Sequence, residues 1–273
     1  MSNELADDTR NTVRDHYAKV STGKAGCAPG CCAVVAPDQS QMLGYSEAER
    51  AAVGDGADLG LGCGNPTAIA SLRPGETVLD LGSGGGFDAF LAARAVGPAG
   101  RVIGVDMTPE MITRARANAR KLAATNVEFR LGEIEHLPVA DGTVDAILSN
   151  CVINLSPEKS AVFREAFRVL RTGGRLAISD VVAIAPIPLE LQTQAAALAG
   201  CISGAAHVDD VKRMLTEAGF TAIEVTIAPR SAEIVNSWLD GADRFIASAT
   251  IEARRGAHET EQADPCCQPG CCA

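Results

Sequence analysis

The chain has 273 residues, 47% of them hydrophobic, and a net charge of −10. That length holds one large domain, or one domain with a small partner, and the apolar fraction suffices for a buried core. The acidic balance argues against nucleic acid or an anionic membrane as the main partner. Met1–Arg10 is polar and acidic rather than signal-like, and no apolar run approaches the roughly 20 residues of a membrane span, so a soluble, cytoplasmic protein is expected.

Residues 8–20 place Val13, Tyr17 and Val20 on one helical face. A Gly/Cys/Pro loop follows, carrying Cys27, Cys31 and Cys32. Ser46 with Glu49 forms a capping-box pattern for a helix through Val53. Residues 54–66 are glycine-rich and irregular, and a loop of that length is more often functional than idle. Strand and helix then alternate. Strands are expected over Thr77–Leu81, Arg101–Val105, Val127–Arg130, Val144–Ser149 and Arg175–Ser179. Helices are expected over Phe87–Val96, over Pro109–Leu122 with its proline at N1, and over Pro157–Leu170 with Ser156 as the cap. This alternation predicts a parallel sheet with right-handed crossovers. Beyond it, Leu189–Ala199, Val208–Ala218 and Ser231–Leu239 read as helices, and Phe220–Ile227 and Arg244–Ala253 as strands joining the sheet. Residues 254–273 are polar and aperiodic, as in a flexible tail.

The stretch Asp80-Leu81-Gly82-Ser83-Gly84-Gly85-Gly86 links the first core strand to its helix. Its glycines let a ligand approach the backbone, and the helix start offers free N–H groups. Asp106 ends the next strand, at a spacing where an acid can accept hydrogen bonds from a ribose. The dinucleotide pattern G-x-G-x-x-G is not met, because Phe87 stands at its sixth place. The form D-x-G-x-G-G-G instead resembles the first motif of the Rossmann-like class I AdoMet-dependent methyltransferases. That resemblance implies an α/β fold in which Asp80, Gly82, Ser83, Gly84 and Gly86 hold S-adenosyl-L-methionine (AdoMet) and Asp106 holds its ribose. Met107, Glu133, Ile134 and Asn150, at neighbouring strand ends, are further candidate walls of the same crevice.

Ten cysteines in such a chain read as thiols of a reducing compartment rather than a disulfide scaffold. The pair in Pro29-Gly30-Cys31-Cys32-Ala33 recurs in Pro269-Gly270-Cys271-Cys272-Ala273, and Cys266-Cys267 adds a third pair. Cys63, Cys151 and Cys201 stand singly. Gly60-Leu61-Gly62-Cys63-Gly64-Asn65-Pro66, Ser149-Asn150-Cys151-Val152-Ile153-Asn154-Leu155 and Gly200-Cys201-Ile202-Ser203-Gly204-Ala205 are similar to segments of the arsenite methyltransferases. The resemblance runs roughly from Cys31 to Arg254. It implies that Cys63, Cys151 and Cys201 bind trivalent arsenic and present it to AdoMet in arsenic detoxification, with thioredoxin or glutathione as thiol reductant. It also implies a redox or capture role for Cys31 or Cys32. Cys266, Cys267, Cys271 and Cys272 are additional candidate ligands. The chain then divides into N-terminal helices and cysteine loops (1–66), an AdoMet-binding domain (67–185), a C-terminal arsenic-binding lid region completing the sheet (186–253) and the tail (254–273).

The chemistry is consistent with those residues. Soft centres select thiolates, and an arsenic bound by three of them keeps a lone pair uncovered. A direct displacement on a methyl sulfonium then needs orientation and no general base. Two other readings stand beside this one. A methyltransferase of a small organic metabolite leaves the three thiols unused and would draw a base from Glu133 or His136. A soft-metal-binding thiol protein leaves the glycine turn and Asp106 idle. A lone cysteine is also often a small buried hydrophobe, most plainly so for Cys201. Flanked by glycines, Cys63 is the thiol expected to move most easily.

Overall fold

Aliphatic and β-branched runs supply seven strands in the computed structural model, whose described residues are 3–23, 38–54, 56–189 and 201–256. They are β1 (Thr77–Leu81), β2 (Arg101–Asp106), β3 (Val127–Leu131), β4 (Val144–Asn150), β5 (Leu170–Ala183), β6 (Phe220–Ile227) and β7 (Ile246–Arg255). The sheet order is β3-β2-β1-β4-β5-β7-β6. The first five strands pair in parallel, and β7 runs antiparallel to both β5 and β6. The C-terminal strands therefore belong to the same sheet as the glycine turn.

Helices cover both faces, so the central strands are apolar almost throughout. Successive side chains alternate between the two faces. Leu79, Leu81, Ile103 and Val105 pack on one side with Val162 and Phe163 of α7 (Lys159–Val169) and Leu215 of α8 (Val208–Glu217). Val78, Val102, Ala146 and Leu148 pack on the other with Phe90 of α5 (Phe87–Val96) and Ile112 of α6 (Pro109–Lys121). Each fully buried large side chain contributes about 1.5–3 kcal/mol relative to exposure. The strand order reverses between β1 and β4, which opens a crevice at their carboxyl ends.

Around this core lie α1 (Asn3–Ser21), α2 (Asp38–Met42), α3 (Glu47–Val53), α4 (Pro66–Ile69) and α9 (Ser231–Trp238). The Ser46–Glu49 capping box forms in full. Four details depart from the sequence reading. First, α1 begins at Asn3, before the apolar stripe does. Second, a short helix not expected from the sequence, α4, starts at Pro66, the last residue of the stretch read as irregular, and its N-cap Asn65 accepts the Ala68 N–H at 3.0 Å. Third, α7 starts at Lys159 and not at Pro157, since Pro157 and Glu158 form a turn that follows a 3-10 turn over Ile153–Leu155. Ser156 Oγ also accepts the Glu158 N–H at 3.0 Å and donates to Glu135 at 2.6 Å, so it caps no further residue. Fourth, β5 begins at Leu170, so Thr172-Gly173-Gly174 are strand rather than helix stop. The helix expected beyond Leu189 and Cys27, Cys31, Cys32, Cys266, Cys267, Cys271 and Cys272 lie outside the described residues. Among the described residues, no helix is long and apolar enough to cross a membrane.

Candidate active site

The turn after β1 takes left-handed backbone at Gly82, Gly84 and Gly86, with φ of 65°, 51° and 96°. The three glycines do different things. A side chain on Gly82 would strike Val152, one on Gly84 would meet open space, and one on Gly86 would enter the rings of Phe90 and Phe129. Gly84 therefore clears the crevice, while Gly86 lets the turn close on the core and lies off the crevice wall. Asp106 ties the turn to β2. Its carboxylate accepts the Gly84 N–H at 2.9 Å and the Thr108 N–H at 2.8 Å. From behind, Asn118 donates to the Gly85 carbonyl at 3.0 Å.

Three carboxylates, Asp80, Asp88 and Asp106, face this end of the crevice. Burial raises Asp106, and the N–H groups of Thr108 and Gly84 oppose the rise. Burial pushes Asp80 well above the ordinary range, and the charges of Asp88 and Asp106 add to the shift. Asp88 is raised to about 6 by burial, against the hydrogen bonds it accepts from Tyr45 and Asn150. Buried, mutually repelling acids favour a cationic neighbour.

The other end holds the thiols. The Cys63 and Cys151 sulfurs are bonded to each other across 88 residues of sequence, with Cα atoms 5.8 Å apart. Cys201, half-buried, directs its thiol to the Cys151 carbonyl at 3.5 Å. Asp180 joins them, with one ligand atom each of Cys63, Cys151 and Asp180 lying within 4.8 Å of one another. It is raised to about 6 by burial, although it accepts N–H groups from Val181, Asn154 and Ile153. Cys151 adopts φ of 55°, a left-handed conformation that costs a non-glycine residue about 1–2 kcal/mol. Its N–H bond to the Ser179 carbonyl, at 2.8 Å, helps hold it there.

The Cys63 loop is fixed, contrary to the expectation of easy movement. The residue is fully buried, its N–H donates to Asn150 Oδ1 at 3.0 Å, and its carbonyl accepts Ser248 Oγ at 2.7 Å. The flanking glycines serve close packing. A side chain on Gly62 would meet the Asn150 amide, and one on Gly64 would meet Ser179.

The crevice spans about 1450 Å³ out to its mouth and brings together Asp80, Gly82, Ser83, Gly84, Asp106, Met107, Ile134, Asn150, Cys151 and Cys201. Glu133 lies off its lining because Arg14 at 3.2 Å and Arg10 at 3.8 Å draw the carboxylate away. His136 is also off the lining. Three contributions escaped the sequence reading. Tyr45 and Asp88 line the crevice, and Asp88 carried a signal as an acid in the first turn of the helix after the motif. α1 adds Arg10, Val13 and Tyr17. Arg10 is held by Glu158 at 2.7 Å and Glu135 at 3.4 Å, a clustering of distant charges that no local pattern announces.

A methyltransferase-domain family matches residues 72–219. An arsenite methyltransferase of Halobacterium salinarum is 54% identical over 93% of this chain and 68% of its own length. The chain belongs to the arsenite methyltransferase family. A solved arsenic(III) S-adenosylmethionine methyltransferase from Chlamydomonas reinhardtii matches with a TM-score of 0.64 and 34% identity, over 78% of this chain and 75% of that one. A Haemonchus contortus phosphoethanolamine N-methyltransferase in complex with AdoMet superposes at TM-score 0.65, over 89% of this chain and 60% of that one, but at 17% identity. That second likeness shows the fold alone and is silent on the acceptor, while the family match and the Chlamydomonas structure give the sheet as Rossmann-like class I methyltransferase.

AdoMet is the cofactor of such folds, and the residues present suit it. Ser83 Oγ and Asp80 Oδ2 are buried without a hydrogen-bond partner among the described residues. Buried polar atoms are rarely left so, and here both belong to residues on the crevice wall. The three acids offer negative potential to a ligand whose sulfonium and ammonium groups are both positive.

Proposed function

We propose that this chain methylates trivalent arsenic held by Cys63, Cys151 and Cys201, with AdoMet held by Asp80, Ser83, Gly84 and Asp106. The observation that carries the reading is convergence. Cys151 and Cys201, from separate segments, line one end of the crevice whose other end is the glycine turn, and Cys63, fully buried off the lining, is bonded to Cys151 from a third segment. AdoMet, when bound, supplies an electrophilic methyl group.

The remaining steps belong to the chain. A thiol reductant, thioredoxin or glutathione, first opens the Cys63–Cys151 bond by delivering two electrons and two protons. Each thiol then displaces one hydroxide from arsenous acid, and the thiol proton leaves with that hydroxide as water. Three such exchanges release three waters and leave arsenic pyramidal on three sulfurs. Its lone pair carries no proton, so the transfer needs no base. Asp106 and the turn fix where the methyl donor sits, and the thiols fix where the acceptor sits, so rate enhancement is chiefly orientation. The need for reduced thiols supports a reducing compartment, the cytoplasm, as the site of this activity.

The test is transfer of labelled methyl from AdoMet to arsenite in the presence of a reducing thiol, with small organic acceptors in parallel. Methylated arsenic and unlabelled organic acceptors are expected. Labelled organic product without methylated arsenic refutes the proposal.

A further inference from the structure

Between the two ends of the crevice stands one amide. Asn150, the last residue of β4, donates from Nδ2 to the Gly64 carbonyl at 2.9 Å, the Tyr45 hydroxyl at 3.0 Å and Asp88 at 3.2 Å. Its Oδ1 accepts the Cys63 N–H at 3.0 Å and lies 4.0 Å from Cys63 Sγ. The Tyr45 hydroxyl in turn donates to Asp88 at 2.6 Å. Tyr45 and Asp88 are buried, and both line the carboxylate end of the crevice. An amide has one acceptor and one donor end, so whatever fixes its donor end fixes where its oxygen points. Here three acceptors, the Gly64 carbonyl, the Tyr45 oxygen and the Asp88 carboxylate, hold Nδ2, and the oxygen is thereby aimed at Cys63; of the three, Tyr45 and Asp88 are the side chains that line the carboxylate end.

We propose that Tyr45, Asp88 and Asn150 act as a positioning relay that ties the placement of Cys63 to occupancy of the carboxylate end, so that arsenite and the cofactor bind with positive coupling. This rests on the functional reading above. Its sign follows from charge. A cationic ligand near Asp88 keeps that carboxylate ionised and acceptor-only, which favours the amide orientation that holds Cys63. With the end empty, burial and the neighbouring charges of Asp58 and Glu49 oppose ionisation of Asp88, so the orientation is less firmly set. Cys63 takes no part in lining the crevice itself, so the amide is its direct hydrogen-bonded link to that wall. None of the three residues needs to touch arsenic.

The molecule carries its own reporter. Trp238 is the single tryptophan, lines the crevice, and packs against the cluster containing Cys63 and Cys151. Arsenite is titrated into reduced protein by Trp238 fluorescence, with and without sinefungin, a non-reactive cationic analogue of AdoMet. Sinefungin binding is measured separately by calorimetry. Wild type should bind arsenite about fivefold or more tightly with sinefungin present, and sinefungin should gain the same factor from arsenite. In Tyr45→Phe, Asp88→Asn and Asn150→Ala the ratio should fall to within about twofold of unity while each ligand still binds alone. In reduced Asn150→Ala, mass spectrometry should find iodoacetamide labelling of Cys63 about tenfold faster and that of Cys201 unchanged, the mark of a local opening rather than a misfolded chain. Tyr45→Phe removes only the hydroxyl and so guards against misfolding. Coupling that survives in the variants, or wild type that binds both ligands without coupling, overturns the relay alone. Wild type that binds no arsenite overturns the functional reading and the relay with it.

Discussion

The two ends of the crevice are built in opposite ways. The carboxylate end comes from nearly continuous sequence, with Asp80, Ser83, Gly84 and Asp88 in one strand–turn–helix segment and Asp106 at the end of the next strand. The thiol end draws Cys63, Cys151 and Cys201 from three segments; β4, β5 and β7 hold Cys63 and Cys151 through Asn150, Ser179 and Ser248, and Cys201 meets the Cys151 carbonyl. A local motif can be varied without moving the fold. An assembled site exists only when the whole sheet is in register. The first end is built of buried negative charge and suits a cation, whereas the second is built of soft, polarisable sulfur and suits a soft electrophile. Division of one crevice into two chemically opposed halves lets two unlike ligands sit side by side without competing.

The largest effect expected from breaking that division is at Cys151, which is bonded to Cys63 and offers its carbonyl to Cys201. Cys151→Ser should lower arsenite methylation by about two orders of magnitude or more, as when one member of a group acting as a unit is lost. AdoMet affinity by calorimetry should stay within about twofold, since the carboxylate end is untouched. Equal losses of both would mean that the halves are one site.

The converse experiment is Asp106→Ala. It should weaken AdoMet binding by about 1–3 kcal/mol, the cost of losing hydrogen bonds to a charged group, and leave the arsenite response of Trp238 unchanged. Part of the loss comes from the turn, because the N–H groups of Gly84 and Thr108 lose their acceptor. Asp106→Asn keeps an acceptor oxygen and should lose less. Unchanged AdoMet affinity in Asp106→Ala would remove this residue from the site.

These two residues also mark what the sequence could disclose. Asp106 and the glycine turn were legible because their geometry is local, a strand end, left-handed turn positions and a helix start in fixed order. The sheet was legible for a related reason, since apolar runs alternate with amphipathic ones. Asn150 was legible only as a residue at a strand end. Its partners Asp88, Gly64, Cys63 and Tyr45 lie 62 to 105 residues away, and nothing in its neighbourhood encodes them. The glycines around Cys63 misled, because glycine signals either freedom or close approach, and here the contact with Asn150 decides for close approach. Gly86 and Glu133 sat in the right motif and at the right strand end, yet the aromatic rings of the core and the arginines of α1 claimed them.

A third way to sharpen the contrast uses pH. Asp88 is raised to about 6 in the folded protein. Between the ordinary carboxyl range near 4 and pH 6 the folded state therefore holds a proton that the unfolded chain has lost. That contribution to stability is fully present below the unfolded pKa and is lost as pH rises through 6. A cation favours the ionised carboxylate, so AdoMet binding should expel the proton. If binding returns Asp88 to its ordinary range, affinity should rise about tenfold from pH 5 to pH 7. Calorimetry in two buffers of different ionisation enthalpy would register the released proton. A flat affinity across this range in wild type would mean that no acid at this end ionises on binding.

The smallest effect concerns how far the thiol half extends. Four cysteines lie within residues 266–272, beyond Gly256, the last described residue, and β7 ends at Arg255. Deleting 257–273 therefore leaves every described residue of the sheet and of the crevice lining in place. Vicinal thiols suit trivalent arsenic by the same preference for soft ligands on which the proposed role of Cys63 and Cys151 rests. Thiols on the same chain supply captured arsenic at a high effective concentration, which matters only while the site is unsaturated. The deletion should leave turnover at saturating arsenite unchanged and lower the rate about two- to fivefold at limiting arsenite, a KM effect without a kcat effect. Initial rates across an arsenite series separate the two. A fall in kcat would place one of these four cysteines among the thiols that hold arsenic during transfer, and the thiol half would then have a fourth source in the sequence.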